Sequence, residues 1–130
     1  MISFAVQVED KTKRVADAAE RATFRNVGHG AARITKDAKA SLVTAPGPSD
    51  PGEPPHTHRG AFLRRAVRYV ADKEEAIIGP QASMVGESGA AHELGEDFHG
   101  QEFDERPYMW PALEDNADRF ASDWAGSIGE

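Results

Sequence analysis

The stretch APGPSDPGEPPHTH, residues 45 to 58, constrains the fold of this chain more than any other. It holds five of the eight prolines together with two glycines. Proline fixes φ and withholds an N–H, while glycine leaves φ free, so neither a helix nor a strand runs through such a stretch. The sequence divides around it into two structured segments joined by an exposed, extended loop. The loop is long for a connection inside a compact domain, and loops of that length are usually functional or partly disordered.

Before the loop, ISFAVQVED alternates Ile2, Phe4, Val6 and Val8 against Ser3, Ala5 and Gln7. That is the period-two signature of a half-buried strand. Asp10 offers a helix N-cap, its carboxylate able to accept from free amides of a first turn. Val15, Ala19, Ala22, Val27, Ala31, Ile34, Ala38 and Leu42 then recur at steps of three to five. This spacing predicts a long helix with an alanine-rich face suited to close packing. Gly28 and Gly30 interrupt it, so the expectation is one kinked helix or two that meet there.

After the loop, AFLRRAVRYV reads as a short helical turn continuing into a strand, ADKEE as a turn, and AIIGP as a second strand ended by Gly79-Pro80. A β-hairpin over residues 65–79 follows. Residues 81–105 are small, polar and acidic, with a short helix expected near 83–94. Pro111 suits the first turn of a helix. Leu113, Ala117, Phe120, Trp124 and Ile128 give that helix an apolar stripe, and Gly126 and Gly129 fray its end. The expected class is α+β in a single domain, 1–130: N-terminal strand, long helix, proline-rich loop, small antiparallel sheet and amphipathic C-terminal helix. A chain of 130 residues is sized for one modest core.

Charge is unevenly spread. Residues 1–70 carry a balance of +5 and residues 71–130 one of −12, within a net charge of −7. An acidic second half repels phosphates and argues against nucleic-acid binding through it. Such polarity suits pairing within the chain, complementary faces on neighbouring copies, or merely two solvated surfaces. The chain has no cysteine, which removes disulfides, thiolate zinc sites and a cysteine nucleophile. Charge comes too early in MISFAVQVEDKTK for a signal peptide, and no apolar run reaches membrane-spanning length. A soluble protein made in the cytoplasm, with no membrane partner, is expected.

The segment GAAHELGED, residues 89 to 97, spells four of the five letters of the zinc-protease motif H-E-x-x-H. That motif needs two imidazoles one turn apart on a helix, with the intervening glutamate as base. Here Glu96 stands where the second imidazole belongs, and Gly95 weakens the helix. His99 lies seven residues from His92, and His56 and His58 fall in the proline-rich loop, where neighbouring histidines are ordinarily solvated. No G-x-S-x-G elbow, G-x-G-x-x-G or P-loop pattern occurs. A small metal-dependent enzyme using His92, Glu93, Glu96 and His99 is the alternative reading, and a host-encoded regulatory or interaction module a third.

Three segments, in order, carry a resemblance. PGEPPHTHRGAFLRRAV keeps Pro51 to Pro55 of a P-G-E-P-P loop, followed by Arg59, Leu63, Arg64, Arg65 and Val67. Ile78-Gly79-Pro80 is followed by Glu93-Leu94-Gly95-Glu96, against a valine-glycine-proline strand end and an E-F-G-T closing. Arg106-Pro107-Tyr108-Met109-Trp110-Pro111-Ala112-Leu113 follows R-P-F-L-R-P-A-L. In these the chain resembles the small tail-completion, or head–tail joining, proteins of long-tailed bacteriophages, a group with which the minor tail protein Z of phage lambda is associated. Gly60-Ala61 for Thr-Gly and Glu96 for Thr depart from the pattern. On this likeness His-Glu-Leu-Gly corresponds to the family's Glu-aromatic-Gly segment rather than to a zinc motif.

The resemblance implies a structural virion protein of the phage neck or tail top, forming a ring around the DNA channel. It implies no catalysed reaction, no metal and no cofactor. Its partners would be copies of itself and neighbouring head-closure, tail-terminator or tail-tube proteins. DNA would pass through the lumen without sequence-specific binding. Expected interface residues are Pro54 and Pro55 in the loop, Arg59, the compact basic cluster Arg64, Arg65 and Arg68, Glu93 and Glu96, and Arg106, Tyr108 and Trp110. Arg64, Arg65 and Arg68 would pair with the acidic 93–105 stretch of the same chain or of the next copy. Tyr108, Met109 and Trp110 would supply core packing or an intersubunit anchor.

Overall fold

In a computed structural model the chain is described over residues 2–5, 11–95, 97–98 and 100–127. The first element, α1 (Thr12–Ser41), is one continuous helix of 30 residues. At 1.5 Å per residue it is about 45 Å long. Its buried positions are Ala22, Asn26, Val27, Gly30, Ala31, Ile34, Thr35 and Ala38, close to the stripe the spacing predicts. The first two turns stay clear of the body, with Val15 exposed. Neither glycine breaks the helix. Gly30 instead admits a neighbour: a Cβ there would lie 2.7 Å from the Phe120 ring.

The expected N-terminal strand does not form over residues 2–5, which have no regular secondary structure. Ile2 and Phe4 are 94% and 85% exposed, so this part of the segment lies against no sheet that could supply ladder partners. Val6, Val8 and Asp10 lie outside the described residues.

The helical turn α2 (Phe62–Ala66) runs directly into β1 (Val67–Ala71), which pairs antiparallel with β2 (Ala76–Pro80). The register sets Val67 opposite Pro80, Tyr69 opposite Ile78 and Val70 opposite Ile77. The turn between the strands is fixed by Asp72, whose Oδ1 accepts from the N–H groups of Glu74 and Glu75 at 2.8 and 2.9 Å. These two bonds hold its carboxyl below the usual aspartate range. Two short helices follow, α3 (Ala82–Val85) and α4 (Ser88–Leu94), then a small antiparallel pair, β3 (Asp97–Phe98) and β4 (Gln101–Glu102). The last element is α5 (Met109–Asp123), with Pro111 in its first turn.

The core forms where α1, β1 and α5 meet: Ile34, Ala38, Leu42, Val67, Tyr108 and Ala112, with Leu63, Ile78 and Met109 against it. The buried stripe of α5 is rotated from the expected one. Ala112 and Asn116 face inward while Leu113 is 42% exposed. A polar clasp turns the helix this way. Asn116 Nδ2 donates to Asp37 Oδ2 at 2.7 Å and to the Ala112 carbonyl at 2.8 Å, and Arg33 pairs with Asp123. Among the described residues no helix is long and apolar enough to cross a membrane.

Candidate functional site

The proline-rich loop, the end of α4 and the start of α5 interlock at one joint. Helix α5 begins with three free backbone donors, because Tyr108 is its N-cap, Met109 and Trp110 open it, and Pro111 has no N–H. All three donate to one carboxylate. Tyr108 N–H and Met109 N–H reach Glu93 Oε2 at 2.8 and 2.9 Å, and Trp110 N–H reaches Oε1 at 2.8 Å. Glu93 is thus a helix cap supplied from α4, placed where the positive end of the α5 dipole favours a negative charge.

The residues beside it complete the joint. Gly95 ends α4 in the left-handed conformation, φ 66°, and a Cβ there would lie 2.9 Å from the Glu105 backbone nitrogen. The Arg106 N–H donates to the His92 carbonyl at 2.7 Å. Tyr108 is buried, and its hydroxyl donates to the Gly89 carbonyl at 3.0 Å. Gly89 has to be glycine here, since a Cβ would meet the Pro80 ring at 2.5 Å. Burial, with the negative Glu93 nearby, pushes the Tyr108 phenol well above the usual tyrosine range.

The proline-rich loop is tied to this joint. The Thr57 N–H donates to the Val43 carbonyl at 2.8 Å and the Ala45 N–H to the Thr57 carbonyl at 3.3 Å, which closes the loop at its base. The Gly52 N–H reaches the Glu105 carbonyl at 2.9 Å, and Arg106 Nε donates to the Ser49 carbonyl at 3.0 Å. The loop is therefore not extended and exposed throughout. Ser49, Pro55 and Thr57 are buried, and the stretches 46–48 and 50–53 face solvent.

Between the loop, α2 and the 82–92 segment lies a cavity of about 380 Å³. Its floor is apolar, with Pro55, Phe62, Leu63 and Val85. The remaining wall carries His56, His58, Arg59, His92 and Arg106, together with Ser49 and Ser88. Among the described residues, none that lines it is an aspartate or glutamate. The His92 ring meets Phe103 edge-on at 5.0 Å between centroids. Its pKa is lowered by burial first, and then by the positive charges of Arg106 and His58. Among the described residues, Ser49 Oγ and His92 Nδ1 are buried without a hydrogen-bond partner.

The expected interface residues divide among several roles. Pro55 is fully buried in its own chain, which leaves Pro54 as the half-exposed proline of the pair. Among the described residues, Arg64 and Arg65 of the basic cluster meet neighbours other than the 93–105 acids. Arg64 donates to Thr44 Oγ1 at 2.8 Å, Arg65 lies over the Phe62 ring at 5.7 Å, and Arg68 is exposed on β1. Arg59 lines the cavity. Arg106 holds the loop and pairs with Asp104 at 3.5 Å. Tyr108 belongs to the core, whereas Trp110 is 58% exposed. Glu96 and His99 lie outside the described residues, among which no group of three histidine or carboxylate side chains is placed to share a metal ion.

Sequence reasoning missed the convergence of His56, His58 and Arg59 with His92 and Arg106. The two groups lie far apart in the chain, and nothing in their spacing announces that the loop folds back. The weak signal is the pair Thr44 and Thr57 flanking the prolines, which form a parallel bridge and bring their hydroxyls within 3.0 Å. Compared with protein-family models, curated proteins and solved structures, the chain matches none of them.

Proposed function

We propose that this chain is a structural subunit of a long-tailed bacteriophage virion, located at the neck or tail top. There it joins head and tail or completes the tail as one member of a ring around the DNA channel. Its partners are copies of itself and the adjoining head-closure, tail-terminator or tail-tube proteins, with DNA passing through the lumen unread.

One observation carries the reading: the surface offers two different apolar faces, one on the hairpin and one along a groove. On the outer face of the hairpin, Val70 and Ile77 stand opposite each other, 75% and 71% exposed, with Arg68 two residues along the same strand. Elsewhere an apolar groove of about 570 Å³ runs along Ile78, Leu94, Met109, Trp110 and Leu113, edged by Glu93 and Glu105. Paired apolar faces of this kind mark association sites. A contact between two unlike faces repeats head-to-tail, and when its rotation closes it gives a ring. The family resemblance supports the same reading, because the segments that carry it are those that build the joint beside the groove.

The metal-dependent alternative loses support at Glu93. Both carboxylate oxygens that would serve as base or ligand are engaged by the α5 amides.

The reading is tested on assembled particles. Quantitative mass spectrometry of purified virions, or of isolated necks, should find this chain in several copies per particle. A chain absent from particles, and monomeric at every concentration with the neighbouring neck proteins present, overturns it.

A further inference from the structure

We propose that the cavity between the proline-rich loop, α2 and His92 is a binding site for a small phosphate monoester with an apolar or aromatic body. This goes beyond the assembly role and does not depend on it.

The composition of the wall selects for an anion. Arg59, Arg106, His56, His58 and His92 line one cavity whose lining, among the described residues, includes no carboxylate. In a chain of net charge −7 this is a local reversal of sign. Asp104 offsets one cation from outside the lining, through its 3.5 Å contact with Arg106. Arg59 has no hydrogen bond or ion pair among the described residues, and its planar fork matches phosphate geometry. His58 and Arg106 both act on His92 as unfavourable positive charges, a repulsion that a bound anion relieves.

The floor decides the rest of the ligand. A volume of about 380 Å³ exceeds what a bare phosphate fills, and Pro55, Phe62, Leu63 and Val85 offer an apolar bed for an organic body. Five cationic or imidazole side chains suit a dianion better than a single carboxylate.

The test titrates the full-length chain with phenyl phosphate, inorganic phosphate and benzoate by calorimetry. Phenyl phosphate should saturate one site per chain, at least ~10-fold more tightly than either of the others, because only it meets both wall and floor. Arg59→Ala and His58→Ala, truncations of exposed side chains that leave the melting curve unchanged, should each weaken binding about tenfold. Arg68→Ala, an exposed arginine outside the cavity, should leave the affinity unaltered. Absence of saturable binding, equal affinity for benzoate or inorganic phosphate, or indifference to Arg59→Ala overturns the proposal.

Discussion

The joint beneath the loop and the hairpin across the core use the same kinds of residue in opposite ways. At the joint, the side chains of Glu93, Arg106 and Tyr108 are turned inward and engaged. Glu93 receives three backbone amides, Arg106 holds the Ser49 carbonyl, and the Tyr108 hydroxyl reaches Gly89. On the hairpin, apolar side chains are turned outward, Val70 and Ile77 above all. Its tip is held by an ion pair, Lys73 to Glu20 at 2.6 Å, that lies open to solvent. Inward polar groups make a joint that specifies one geometry, since every buried donor must keep its acceptor. Outward apolar groups leave a surface that is complete only against another molecule. The residues that look most chemical are the ones occupied with folding, and the plain aliphatic ones are available for contact.

Removing the shared acceptor is the strongest way to break this contrast. Glu93→Ala leaves three donors at the start of α5 without a protein partner and withdraws a negative charge from the helix N-terminus. It should cost about 2 kcal/mol, read as a lower urea midpoint at unchanged slope. Glu93→Gln keeps an acceptor oxygen and should cost less than half as much. Equal losses for the two variants would mean that the side chain fills space and does not cap the helix.

Tyr108→Phe sharpens the contrast at a smaller scale. The ring stays in the core, while the hydrogen bond to Gly89 is lost, at a cost of about 1 kcal/mol. It also carries a pH signature. The folded state holds the phenol proton more tightly than the unfolded chain does. The stability this supplies is therefore fully present below the ordinary tyrosine value of 10.0 and is lost as pH rises above it toward the folded value. The phenylalanine variant should show a flatter alkaline decline in urea midpoint, and a decline as steep as that of the parent chain would refute the assignment. His92 works on the acid side. Its folded pKa is lowered, so the unfolded chain binds a proton first, and this site costs stability as pH falls below about 6.5.

Much of the fold is legible in the residues. The α1 stripe from Ala22 to Leu42, the hairpin with its ADKEE turn and Pro111 in the first turn of α5 all follow from period, turn chemistry and proline geometry, whereas the single short helix expected near 83–94 is two, α3 and α4. What failed is instructive. Ile2 and Phe4 alternate correctly, but alternation states only that a strand would have two faces, not that a neighbouring strand exists. Leu113 outranks Asn116 on any hydropathy reading, yet Asn116 is the buried one, because Asp37 and the Ala112 carbonyl satisfy its amide. The candidate site was less legible still. Glu93 reads as a catalytic letter until its acceptors' partners at 108–110 are known, and the cavity depends on a loop closure that no spacing encodes.

The smallest effect on stability should come from the hairpin surface, and there the contrast becomes a statement about assembly. Val70→Lys and Ile77→Lys place two charges at positions already mostly in water. Neither removes a core contact, and the strand register rests on main-chain bonds that lysine keeps. Lysines directly opposite each other repel modestly, so the single variants are the cleaner probes. Each should leave the urea midpoint within experimental error of the parent. The joint variants should do the reverse, lowering stability while leaving the hairpin surface intact. If Val70 and Ile77 enter the acidic-edged groove of the next copy, a lysine there must be desolvated among Trp110 and Leu113, and incorporation into particles should fall even though the subunit folds normally. Incorporation equal to that of the parent chain for both single variants would remove this face from the contact. The groove side is probed independently by Trp110→Ala, whose ring is 58% exposed in the lone subunit and so contributes more to docking than to folding. Loss of incorporation in all three variants, with unchanged melting, is the pattern that unlike faces meeting head-to-tail require, because damage to either face breaks every contact around a ring.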